Sequence, residues 1–202
     1  MTKPAATIEF WFDFSSPYAY FASKSIEALA ADHDRVVEWR PFMLGAAFKA
    51  TGMTSLSNTP LRGDYARRDW ARLARKARLA FSLPERHPIA ALAPSRAFYW
   101  MAETAPGTES RFAALAFDAY FERGMDISEP DVTKEIARTC GVEPTLLSEA
   151  IATDRIKNRV REATDEALRR GIFGSPFFVV DGEPFWGHDR MPMLREWLAE
   201  PW

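Results

Sequence analysis

The sequence predicts an α/β fold in which one small sheet is assembled from the two ends of the chain, with a long helical stretch between them. Three observations carry this prediction. Residues Thr7 to Phe14 alternate strictly, with Ile8, Phe10, Phe12 and Phe14 on one face, the period-2 pattern of a strand. From about Phe48 to Arg170 the apolar residues recur at helical spacing. Beyond Gly171 two apolar runs flank Asp181-Gly182, the strongest short hairpin signal.

Each element follows from its own residues. After the first strand, Ser15-Ser16-Pro17 opens a helical pattern through Tyr18, Phe21, Ala22, Ile26 and Leu29. A hydroxyl at the cap and a proline in the first turn are helix-start chemistry. A second strand, Val36 to Arg40, closes against Pro41, so this β-α-β unit should pair its strands in parallel by a right-handed crossover. A helix is expected from about Pro60 to Phe81, with Ala66, Trp70, Leu73, Ala77 and Phe81 on one face. Five more are expected near 93–103, 109–123, 131–139, 144–151 and 154–170, punctuated by prolines. Gly171 suits a helix C-cap. Strands Phe177 to Val180 and Glu183 to Trp186 then form the hairpin, and a last helix runs from about Asp189 to Ala199. The plan is a thioredoxin-like core, residues 1–47 and 171–202, split by an all-helical insertion subdomain, residues 48–170.

Composition excludes several classes of function. With 26 Lys and Arg against 28 Asp and Glu the formal charge is −2, which creates no global field toward nucleic acid or anionic membrane. The longest apolar runs fall far short of a bilayer span. The N-terminal Met1-Thr2-Lys3-Pro4-Ala5-Ala6 lacks the apolar stretch of a secretory signal, so a cytoplasmic location is expected. The single cysteine, Cys140, forbids an intramolecular disulfide and a Cys-x-x-Cys redox pair. It reads as a small buried hydrophobe. No spacing of His, Cys and carboxylates suggests a metal site.

Three short segments carry chemistry. At Ser15-Ser16-Pro17-Tyr18-Ala19 a helix N-terminus offers unpaired N–H groups and a partial positive charge. A thiolate placed there is stabilised, and Ser16 can donate a hydrogen bond to it; simple capping explains the same residues. Gly174-Ser175-Pro176 precedes a strand, and a cis proline there would leave the Ser175 backbone free to pair with an extended peptide; a strand-entry turn is the alternative. In Trp186-Gly187-His188-Asp189-Arg190, Asp189 is a good N-cap and could also take an α-ammonium, with His188 beside it as a contact or a proton-transfer group. The cluster Arg67, Arg68, Arg72, Arg75, Lys76 and Arg78 reads as the solvated face of one helix. His33 and His87 sit in polar loops and invite no assignment.

These segments carry a resemblance. Phe12-Asp13-Phe14-Ser15-Ser16-Pro17-Tyr18, Arg40-Pro41-Phe42, Phe173-Gly174-Ser175-Pro176-Phe177-Phe178 and Trp186-Gly187-His188-Asp189-Arg190 resemble the 2-hydroxychromene-2-carboxylate isomerase family. That family stands with the kappa-class glutathione transferases in the DsbA-like branch of the thioredoxin superfamily. The resemblance runs through the whole chain in order and implies a glutathione-dependent isomerase. Its substrate would be an aromatic keto acid, interconverted between a cyclic hemiketal and an open benzylidenepyruvate in aromatic catabolism. It further implies glutathione's sulfur at Ser16, flanked by Pro17 and Tyr18. The peptide would pair with Ser175 before Pro176, and the γ-glutamyl end would lie at His188 and Asp189. Relatives are often homodimers, and the sequence itself leaves the oligomeric state open. One departure stands out: Met53 occupies the place where relatives often carry a glutathione-holding asparagine, and Asn58 is out of register. A kappa-like transferase or peroxidase is the alternative within this scaffold, and a non-catalytic thioredoxin-fold binding module is a further one. Ser16 and Ala19 stand where a thiol–disulfide oxidoreductase would need cysteine.

Overall fold

A computed structural model describes residues 6–202. The segment Met1 to Ala5, where the sequence predicts no secretory signal, lies outside the described residues. The chain runs β1 (Thr7–Phe12), α1 (Pro17–Ser23), α2 (Ile26–Ala31), β2 (Val36–Pro41), α3 (Leu44–Thr51) and a short 3-10 turn, Leu56–Asn58. Then come α4 (Arg62–Ala77), α5 (Leu92–Thr104), α6 (Glu109–Phe121), α7 (Pro130–Thr139), α8 (Pro144–Ala152) and α9 (Asp154–Arg169). It closes with β3 (Phe177–Val180), β4 (Glu183–Trp186), a 3-10 turn at His188–Arg190, and α10 (Met191–Ala199).

The strands form one mixed sheet in the order β2-β1-β3-β4. β1 is parallel to β2 and antiparallel to β3, and β3 is antiparallel to β4. Central Phe10 pairs with Trp39 on one side and Phe178 on the other, and its ring lies 5.0 and 5.4 Å from theirs. Aromatic cross-strand neighbours of this kind are the unit of sheet stabilisation. The hairpin forms at Asp181 (φ 52°) and Gly182 (φ 88°), the paired left-handed residues of a type I′ turn.

The alternation of β1 predicts one apolar face; the structure covers both. Ile8, Phe10 and Phe12 enter the large core with α1, α2 and the helices of the insertion. Trp11 points the other way into a second core with Phe42, Ala47, Ala167, Ile172 and Phe177, which α3 and α9 close. The indole is also flanked by Arg40 and Arg170 at 5.0 and 5.4 Å.

Several boundaries differ from expectation, each for a local reason. The helix expected through Leu29 breaks at Lys24-Ser25, after Ser23 Oγ donates back to the Tyr20 carbonyl, a bond that competes with the helical ladder. α4 stops at Ala77 because Arg78 turns left-handed (φ 55°). Phe81 therefore leaves the helix and stacks on Phe121, 5.7 Å away. Asp189 does not cap the last helix: Gly187 (φ 110°) starts a 3-10 turn instead, and α10 begins two residues later with Pro192 in its first turn. Gly171 does close α9, with its N–H on the Leu168 carbonyl and that of Ile172 on Ala167. Cys140 is half-buried at the end of α7 rather than enclosed, and burial still pushes its thiol up. The six basic residues on and just beyond α4 are exposed, as a solvated face should be.

Candidate active site

The site begins where β1 runs out. Asp13 bends the chain by accepting the Ser15 N–H at 2.8 Å, the Asx turn that a short acidic side chain favours. Ser16 then caps α1: its Oγ accepts the Ala19 N–H at 3.2 Å, and Pro17 opens the first turn. The same Oγ donates to the Ser175 carbonyl at 2.9 Å, and Ser16 is only 6% exposed. Two segments 159 residues apart in sequence therefore meet through one hydroxyl.

Ser175-Pro176 is cis. The Ser175 Oγ accepts the Asp13 N–H at 2.9 Å, and Pro176 accepts the Gly187 N–H at 3.0 Å. Ser175's own N–H has no partner among the described residues, so it is free to pair with an extended peptide. Gly174 sits under the Trp186 indole, where an added Cβ would come within 2.0 Å of Nε1. That close approach requires glycine.

The third segment joins only in part. Gly187 is tied to Pro176, but the His188 ring turns toward the far end of α1, 6.0 Å from Phe21. There it lines a cleft of about 250 Å³ with Phe21, Lys24, Ser25, Leu73, Ala77 and Leu79. Burial lowers the His188 pKa, and Asp189 opposes that effect. Asp189 is exposed and accepts from Arg190 at 2.9 Å. Met53 is exposed at the surface.

The insertion supplies the remaining wall. Tyr18 Oη donates to Asp69 on α4 at 2.9 Å; burial, then this carboxylate, push the phenol's pKa up, so it stays protonated. Its ring meets Trp70 at 6.0 Å, and Trp70 meets His87 at 6.0 Å. Tyr120 Oη donates its one proton to the Arg86 carbonyl at 3.0 Å, so His87 Nδ1, 3.0 Å away, is the donor in that pair. The Ile89 N–H reaches back to Ser15 Oγ at 3.1 Å. Burial brings the His87 pKa down to about 4, leaving the imidazole neutral. The sequence offers no signal for His87 or Tyr120. Asp13 carries a faint one, since Asp two residues before Ser is the Asx-turn pattern.

What results is a helix N-terminus with a buried hydroxyl at its cap, beside an unpaired backbone N–H before a cis proline. Such a pair can hold an anionic sulfur and an extended peptide together. The sequence matches the DSBA-like thioredoxin domain over residues 7–199. The chain belongs to the DSBA-like thioredoxin family. Within curated proteins it is 29% identical to 2-hydroxychromene-2-carboxylate isomerase of Sphingobium xenophagum, over 99% of this chain and 100% of that protein. It is 26% identical to glutathione S-transferase kappa 1 of Homo sapiens, over 97% and 92% of the two chains. Among solved structures, a 2-hydroxychromene-2-carboxylate isomerase superposes with a TM-score of 0.87 at 22% identity, covering 96% of this chain and 94% of that one. This DSBA-like chain thus keeps the family's scaffold with serine and alanine at Ser16 and Ala19.

Proposed function

We propose that this protein is a glutathione-dependent isomerase of the 2-hydroxychromene-2-carboxylate type, acting on an aromatic keto acid. The observation that carries the reading is the Ser16–Ser175 pair at the start of α1, with the Ser175 N–H left without a partner among the described residues. The named relative aligned along the full chain supports it.

In this reading the Ser175 backbone pairs with the peptide of glutathione. Ser16 and the N-terminus of α1 hold its sulfur as an anion, and His188 and Asp189 meet its γ-glutamyl end. Bound glutathione would supply a thiolate that adds reversibly to an electron-poor conjugated carbon, so that a double bond becomes free to rotate. Ser16 is a donor here and not a nucleophile, because no base lies against its hydroxyl: Oγ donates to a carbonyl and accepts an amide. That donation to Ser175 must be redirected when sulfur arrives, so Ser16 acts by exchanging one acceptor for another. Pro17 fixes the first turn, and Tyr18, held on Asp69, forms the wall toward the aromatic substrate. A cytoplasmic setting goes with this reading, because thiols stay reduced there.

Glutathione at millimolar concentration is expected to raise the melting temperature, since a ligand bound only by the folded chain stabilises it. An unmoved melting temperature would sink the reading. A kappa-like transferase or peroxidase is the second reading, motivated by the human relative. Conjugation of generic electrophiles without turnover of chromene acids would select it.

A further inference from the structure

Among the described residues, Asp13 is the one carboxylate enclosed at the candidate site, 6% exposed, and none of their cations pairs with it. Its two oxygens are divided between two segments. Oδ1 accepts the Ser15 N–H at 2.8 Å, and Oδ2 accepts the Leu44 N–H at 2.9 Å. Leu44 is the first residue of α3, whose own cap position, Met43, has no side chain able to serve. Asp13 therefore caps α3 from a distance while it shapes the Ser15-Ser16 turn. Its backbone N–H meanwhile holds Ser175 Oγ.

An isolated buried carboxylate is costly unless fully hydrogen-bonded, and here only backbone amides provide the bonds. We propose that Asp13 is a positioning residue for the glutathione site, its ionised carboxylate setting the Ser16 turn, and its backbone the Ser175 loop, in the register that binds the tripeptide. The inference rests on the functional reading above. The ionised form accepts strongly at both oxygens; protonation turns one of them into a hydroxyl, a much weaker acceptor, and an amide side chain presents a donor to one of the two N–H groups. Burial pushes the Asp13 pKa up to about 6, against the pull of those two amides. Tyr120 of α6 is the titratable side chain that faces it. That phenol is itself shifted upward and stays neutral throughout the range concerned.

If only the ionised form binds, apparent affinity falls with the ionised fraction, roughly tenfold at pH 5. The test is a calorimetric titration from pH 5 to pH 8 with S-methylglutathione, which has no ionisable sulfur to mimic the effect. The wild-type dissociation constant should rise about tenfold toward pH 5, with its bend near pH 6. His188→Gln should keep the bend in place, which separates Asp13 from the nearby imidazole. Asp13→Asn, which has no ionised form, should bind at pH 8 more weakly than the wild type does at pH 5, with no bend near pH 6. Thermal melts at both pH values check that each protein is folded. Equal wild-type affinity at pH 5 and pH 8 would overturn the role of Asp13, as would a bend lost in His188→Gln. Absence of binding by glutathione itself at pH 8 would instead defeat the functional reading.

Discussion

The two ends of the candidate site are built by opposite means. At the end proposed to hold sulfur, Asp13, Ser15, Ser16 and Ser175 interlock through hydrogen bonds of 2.8 to 2.9 Å, and both Asp13 and Ser16 are only 6% exposed. At the far end, His188–Arg190 is a single 3-10 turn without a capping side chain, and its Asp189 faces solvent. A buried, interlocked network specifies one geometry and loses it when any member is removed. An exposed turn adapts, and tolerates change. The reacting atom would thus be held firmly and the recognition end loosely.

Substitutions should separate the two ends sharply. Ser16→Ala removes the donor closest to the proposed sulfur position and should lower turnover at least tenfold, as for other preorganised donors to a reacting anion; steady-state isomerase assays at saturating glutathione check this. Next in size, Ser175→Ala leaves the Asp13 N–H without its acceptor and should cost about 1–3 kcal/mol of stability, measured by urea unfolding. Asp189→Ala at the loose end should change stability by less than about 0.5 kcal/mol. It should still weaken glutathione binding a few-fold, so a large unfolding effect there would erase the contrast between the ends.

A pH effect of intermediate size belongs to the wall that joins them. His87 holds a pKa of about 4 in the fold, against an ordinary 6.5. Between those values the unfolded chain binds a proton that the folded chain refuses. The stability this group contributes is therefore complete above pH 6.5 and is lost as pH falls toward 4. His188 is shifted in the same direction. Melting temperatures from pH 7 to pH 4.5 should fall less steeply in His87→Gln than in the wild type. Parallel curves would show that the imidazole is not buried as described.

Much of this was legible in the sequence wherever the determining chemistry is local. The Asp181-Gly182 turn, the Ser16-Pro17 cap and the proline after Ser175 each announce themselves within a few residues, and each forms as expected. What escaped depends on partners far along the chain. Asp13 looks like one polar position on an alternating strand until Leu44 arrives from 31 residues away. His87 looks like a loop residue until Tyr120 and Trp70 surround it. Asp189 failed as a cap because the left-handed Gly187 favours a 3-10 start, a competition that cap propensity alone does not resolve. Phe81 leaves α4 where Arg78 turns left-handed and packs instead against Phe21 of α1 and Phe121 of α6.

The central claim is that Ser16 and the start of α1 hold glutathione's sulfur as an anion. Its most direct test is a titration of the bound thiol, followed by the ultraviolet absorbance of the thiolate, in the wild type and in Ser16→Ala. The account predicts a bound thiol whose pKa lies at least one unit below that of free glutathione, about 1.4 kcal/mol of preferential stabilisation, with much of the shift lost in the variant. A bound thiol that titrates like free glutathione in both proteins would contradict it.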